Sequence, residues 1–211
     1  ATTEIYTLSL HDALPILGTE LARWTRDILE KDFFTKAICL TQAQWRREGD
    51  LEVLLQTMLL LDNRSENYEY KAISNTEVLK YCSHIRGRFS PEKRVVIEEL
   101  FDYLSGAFSD KCKFLKKSAV PMVAVIGKLA LENSITPEQY RGFIDSFANT
   151  VNEEYEANKG NGNVKRVKTE GRLLAMADDF GQYFNISNLV VIGGSAERSE
   201  ERRVGKECRS R

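Results

Sequence analysis

The sequence predicts an all-α protein, an irregular multi-helix bundle of about seven helices that ends in a short strand-like tail. Three observations predict it. Apolar residues recur at three- and four-residue spacing along most of the chain, which gathers them on one stripe of a helix. Helix-start signals, Ser90-Pro91-Glu92 and Thr136-Pro137-Glu138-Gln139, stand just before two of these stripes. Only one run, residues 188–192, has the continuous aliphatic character of a strand.

The first stripe is Leu21, Trp24, Ile28 and Leu29; Phe33, Phe34, Ile38 and Leu40 follow as a second patch at the helix end and the turn after it. Asp50 is placed to cap the next helix by accepting from free amides. That helix carries Leu51, Val53, Leu54, Leu55, Met58, Leu59, Leu60 and Leu61, and its all-round apolarity predicts a central position. Residues 62–69 are polar and read as a loop. Ser74, Asn75 and Thr76 are alternative caps for a helix through Val78, Leu79, Cys82 and Ile85, with Gly87 as its stop. Ser90 caps the next, and Pro91 sits where its missing N–H costs nothing. Val95, Val96, Leu100, Phe101, Leu104 and Phe108 then line about four turns.

Residues 121–132 form a more apolar helix. Thr136 and Gln139 are spaced for a capping box, and Tyr140, Phe143, Ile144, Phe147, Val151 and Tyr155 make the longest stripe. Residues 159–163 are a flexible turn. A last helix over residues 168–183 buries Leu173, Leu174, Met176 and Phe180. The strand-like run ends in Gly193-Gly194, and a strand without partners there is expected to pack poorly. No repeat of fixed period is present.

Both ends stand apart. Residues 1–16, ATTEIYTLSLHDALPI, and residues 198–211, RSEERRVGKECRSR, each resemble one reading frame of the adapter oligonucleotides ligated to DNA before sequencing. Segments of that origin are excluded from fold reasoning. The chain then divides into adapter-derived ends at 1–16 and 198–211, a helical domain at 17–184 that is a fragment of a larger protein, and a truncated tail at 185–197. His11 with Asp12, which look like a catalytic pair, and Cys208 in its basic surroundings fall in these ends and carry no chemistry on this basis.

Without the six basic and five acidic residues of the ends, 24 basic and 26 acidic residues are left, a formal charge of −2. A near-neutral chain has no global attraction to nucleic acid or membrane surfaces, although local basic clusters still bind phosphate. No apolar run approaches the ~20 residues that span a bilayer, so no membrane role is expected. Cys39, Cys82 and Cys112 are isolated, which fits thiols in a reducing compartment and predicts a cytoplasmic protein. With His84 the only histidine between the ends, neither a metal site nor a histidine-based triad is expected, and no cofactor.

Gly160-Asn161-Gly162 lacks the preceding strand and third glycine of a dinucleotide loop and reads as a surface turn. Val190-Val191-Ile192-Gly193-Gly194 leads from a strand into glycines, but nothing after it assigns a ligand. Asn185-Ile186-Ser187 fits the glycosylation sequon, with no secretory signal to support it. Asp178-Asp179 and Glu153-Glu154 are helical neighbours that point apart and do not converge on a metal. Three basic clusters are candidates for phosphate contact: Arg46 and Arg47 beside Trp45; Lys113, Lys116 and Lys117; and Lys165, Arg166 and Lys168. The plainer alternative is a solvated helix end, or for Trp45 and Arg46 a cation–π stack.

The string Trp45-Arg46-Arg47-Glu48-Gly49-Asp50-Leu51-Glu52-Val53-Leu54-Leu55 resembles the aromatic, arginine, Asp-x-Glu, aliphatic run that follows the catalytic region of GmrSD-type restriction proteins. Phe114-Leu115-Lys116-Lys117-Ser118, ahead of Val123, Ile126 and Leu129, is similar to a second segment of that family. The likeness covers most of residues 17–184 as patterns of residue type. It implies a DNA restriction or phage-defence protein whose catalytic region is an N-terminal ParB-like domain that binds nucleotide and carries an Asp-Gly-Gln-Gln-Arg motif. That motif does not occur here, nor does an H-N-H nuclease motif, so no catalytic residue is carried over.

The expected function is therefore a non-catalytic helical segment, inactive without the missing N-terminal domain, which would be its partner together with DNA. Nucleic-acid or interdomain contact is expected at Arg46, Arg47, Asp50, Lys116, Lys117, Lys165 and Arg166, with a structural or interface role for those that match the family pattern. The alternative is a helical protein-interaction module with no nucleic-acid role, favoured by the near-neutral charge. A self-contained enzyme ranks third, because nothing places a nucleophile beside a base.

Overall fold

In the computed structural model, which describes residues 13–64, 73–158, 169–187 and 189, ten helices form and no strand. Nine are α-helices: α1 (Ala13–Leu17), α2 (Thr19–Leu29), α3 (Gln42–Trp45), α4 (Gly49–Arg64), α5 (Asn75–Ile85), α6 (Pro91–Ala107), α7 (Val120–Glu132), α8 (Pro137–Asn158) and α9 (Thr169–Phe184). The tenth is a π-helix at Phe33–Ala37.

Helix starts follow their side chains. Ser74 is the cap chosen among three neighbours; its hydroxyl accepts from Glu77 N at 3.3 Å. Ser90 accepts from Lys93 N at 3.4 Å, with Pro91 opening the first turn of α6. Thr136 and Gln139 close their box at 2.9 and 3.3 Å. Gly87, at φ +66°, takes the left-handed position that ends α5. Asp50 does not cap α4. The helix already starts at Gly49, after Glu48 turns the chain at φ 52°, so Asp50 lies in the first turn, where an acid suits the helix dipole.

Helices α4 and α7 form the centre and pack on each other. Every residue from Leu51 to Leu55 and from Met58 to Leu60 is buried, as is every residue from Val120 to Gly127. Helices α2, α3 and α5 pack against α4, while α6, α8 and α9 pack against α7. Gly127 lets α6 approach α7: a Cβ there would lie 2.9 Å from Leu104 Cδ2. The Tyr140 hydroxyl donates to the Val123 carbonyl and ties α8 to α7. Helix α1 packs on α2 and α5, with Ala13 and Leu17 buried. The expected boundary after residue 16 therefore falls inside a helix.

Two expectations are corrected. The helices among the described residues number ten rather than seven. The additional ones, α1, the π-helix and α3, have five, five and four residues, too few for a periodic stripe to show. The strand-like tail is not present. Leu189 is the described residue of run 188–192; it lies outside any strand and packs on the core beside Gly181 of α9. Among the described residues no strand is at hand to pair its backbone, and its apolar side chain is partly buried on a helix instead. The other residues of that run, and the turn at 159–163, lie outside the described residues.

No helix among the described residues is long and apolar enough to cross a membrane.

Candidate nucleic-acid interface

Residues 41–49 build a tight corner ahead of α4. Thr41 Oγ1 accepts from Gln44 N at 3.2 Å, and Gln44 Oε1 accepts from Thr41 N at 2.8 Å, a reciprocal cap that fixes α3. The chain then turns back through Arg47 N to Gln44 O and Glu48 N to Trp45 O, both 3.1 Å. Gly49 is required here, because a Cβ would lie 2.9 Å from the Gln44 carbonyl oxygen. The corner presents Trp45, 39 % exposed, flanked by exposed Arg46 and Arg47. Neither arginine has an ion-pair partner among the described residues. The Trp45–Arg46 stack does not form; the cation–π contacts are Lys93 on Phe89 and Arg141 on Phe108.

The lysine segment is brought to the same corner. Cys39 N donates to Leu115 O at 2.8 Å and Cys112 N donates to Ala37 O at 2.9 Å, so residues 37–39 and 112–115 run side by side. Leu115 is buried, and Phe114 meets Phe147 edge-on at 5.9 Å. Lys117 Nζ then pairs with Glu52 on the first turn of α4. Glu52 is buried and also accepts from Gln56 Nε2 at 3.1 Å. This pair joins the two segments that carry the family resemblance.

The seven expected contact residues thus separate. Arg46, Arg47 and Lys116 are exposed cations without partners among the described residues. Lys117 belongs to the fold through its bond to Glu52. Asp50 is half-buried in the first turn of α4. Lys165 and Arg166 lie outside the described residues, as do His11, Asp12 and Cys208. Glu52, Gln56 and Gly49 are the additions. Glu52 had a signal in the sequence, as an acid within the apolar run Leu51–Leu55 with Gln56 one turn on.

A second polar cluster lies on the opposite part of α4. Asp62 is buried and accepts from Tyr81 Oη and from Lys93 Nζ, both at 2.7 Å. Both carboxylate oxygens are engaged, so it serves as a clamp of α4, α5 and α6 rather than as a base awaiting a substrate. Among the described residues no group of three or more His, Cys, Asp or Glu is arranged for a metal. Burial pushes the Cys82 thiol up to about 12, far from a reactive thiolate. What the 41–49 corner offers chemically is charge and one exposed ring. No protein-family model matches the chain, nor does any curated protein or any solved structure.

Proposed function

We propose that this chain is the non-catalytic helical segment of a GmrSD-like DNA restriction or phage-defence protein, contacting DNA phosphates through the 41–49 corner and relying on a catalytic domain not contained in it. The observation that supports this most is the joining of the two family-like segments, Trp45–Leu55 and Phe114–Leu129, by the Glu52–Lys117 pair and the Cys39–Leu115 hydrogen bond. Two strings some sixty residues apart in sequence meet at the first turn of α4, and Arg46, Arg47 and Lys116 in these strings are exposed, with no ion-pair partner among the described residues. Cations so placed exchange condensed counterions for contact with phosphate.

The test is a salt titration of duplex DNA binding by the whole chain and by the Arg46→Ala/Arg47→Ala/Lys116→Ala variant. Each lost phosphate contact is expected to flatten the log–log salt slope by about 0.9. No binding at low salt would sink the proposal and favour an interaction module, the reading that the formal charge of −2 over residues 17–197 supports. Recovery of the upstream reading frame gives an independent check, because a frame without Asp-Gly-Gln-Gln-Arg would contradict the family assignment.

A further inference from the structure

We propose that Trp45 is a base-stacking platform, and that the preferred ligand of the 41–49 corner is a nucleic-acid strand with unpaired bases rather than intact duplex. This rests on the DNA-contact reading of the same corner and names the form of nucleic acid it takes.

The chain has two tryptophans, and they are treated oppositely. Trp24 is buried, lies 5.5 Å from Phe89, and its indole N–H donates to Glu98 at 2.6 Å. Trp45 is 39 % exposed, and its side chain has neither a ring neighbour nor a hydrogen-bond partner among the described residues. Exposed ring area costs free energy, and the fold leaves more than a third of this residue uncovered. The backbone beneath the ring is nevertheless held in place. The Thr41–Gln44 cap and the close approach of Gly49 to Gln44 fix the backbone on both sides. Little backbone ordering is left to pay for on binding.

Charge selects the ligand class. Two exposed arginines follow Trp45 directly, neither with an ion-pair partner among the described residues, and Lys116 lies on the segment hydrogen-bonded beside residues 37–39. A single strand presents a flat base and an anionic phosphate at each step, which matches an exposed ring followed in the chain by two exposed cations. A duplex hides its base faces inside the stack and offers this corner phosphates alone. Reading a duplex through its major groove takes an inserted helix, and α3, at four residues, is a single turn packed against α4. An acidic peptide would meet the arginines but has no repeating flat face for the ring.

The test uses the whole chain, with fluorescein-labelled oligothymidylate, a duplex of equal length and a poly-glutamate peptide as probes, followed by anisotropy. Trp45→Leu, at an exposed position, is expected to weaken oligothymidylate binding about tenfold, since base–aromatic stacking is worth that much or more, and to leave duplex binding nearly unchanged. In a Trp24→Phe background Trp45 is the sole tryptophan, and its emission is expected to be quenched by oligothymidylate more than by duplex. The anisotropy arm needs no change at Trp24 and decides the matter if that variant does not fold. Equal binding of both DNA forms with no effect of Trp45→Leu overturns the stacking role while leaving phosphate contact standing. Failure of both DNA forms to bind overturns phosphate contact as well. Binding of poly-glutamate alone overturns both in favour of an acidic protein partner.

Discussion

Glu52 and Lys117 form one ion pair, but the two ends of it are not equally exposed. The Glu52 side chain is 10 % exposed and that of Lys117 is 32 % exposed. Removing the lysine leaves a buried carboxylate with Gln56 as its remaining donor among the described residues, whereas removing the glutamate leaves an ammonium that reaches water. Lys117→Ala is therefore expected to cost about 3 kcal/mol and Glu52→Ala about 1–2 kcal/mol in urea denaturation. Equal losses would mean that the pair behaves as a surface bridge. A second consequence at this scale concerns pH. Burial raises the Cys82 thiol from 9.0 to about 12, and burial also raises the Tyr140 and Tyr103 hydroxyls above their usual value. In each case the folded state keeps a proton that the unfolded chain releases. The stabilisation is complete below pH 9, and from there the Cys82 thiol removes up to about 1.4 kcal/mol per pH unit until its folded value is reached. Cys82 is the first to act and the tyrosines join about one unit higher. Stability should stay level from pH 8 to pH 9 and fall progressively at pH 10 and 11, and Cys82→Ala should remove the earliest part of that fall. A flat profile to pH 11 would show that these groups are solvated in the native state.

Glycines on two helices make a controlled pair at the scale of elements. Gly127 on α7 faces Leu104, whose Cδ2 would lie 2.9 Å from a new Cβ and whose side chain is fully buried. Gly142 on α8 is exposed, and its nearest neighbour to a new Cβ is the Tyr183 hydroxyl at 3.8 Å. Alanine gains about 1 kcal/mol of helix propensity at either site, but crowding in a packed core costs about 1–3 kcal/mol. Gly142→Ala should raise the urea midpoint and Gly127→Ala should lower it; a rise for both would mean that α6 and α7 part easily. The same contrast explains what was legible in the sequence. Long helices with local start and stop chemistry, such as those at Ser90, Thr136 and Gly87, are written in residues three or four apart. The π-helix is not. Its bond from Ile38 N to Phe33 O accompanies the packing of Phe33 and Phe34 against Phe101, 5.7 and 4.8 Å away across the core. The candidate site divides in the same way. Arg46, Arg47 and Lys116 are visible as charges in a string, while the bond that makes Lys117 structural joins residues 65 apart, and no local pattern encodes it.

At the scale of the whole molecule, α1 is the element whose removal is most informative. Ala13 and Leu17 are buried, Leu14 and Ile16 pack partly against the core, and the helix covers α2 and α5. An apolar pentapeptide of any origin, tethered beside a greasy surface, will fold onto it, since the hydrophobic effect is non-directional. Burying these side chains and the surface beneath them contributes about 4–6 kcal/mol. Ordering five residues opposes this by about 5 kcal/mol or more. The two nearly cancel, while the α4–α7 centre and its burial do not depend on α1. Deleting residues 1–16 should therefore lower stability by no more than about 2 kcal/mol and leave a single cooperative urea transition with the same helical circular dichroism from α2 onwards. Large exposed apolar side chains among the described residues are Trp45, Val95, Val151 and Tyr183, one each on α3, α6, α8 and α9. Scattered singly in this way, they form no common patch that the loss of α1 would extend. If the truncated chain instead lost its transition and bound a hydrophobic dye, α1 would have to be an integral part of the core, and the division of the chain at residue 17 would be untenable.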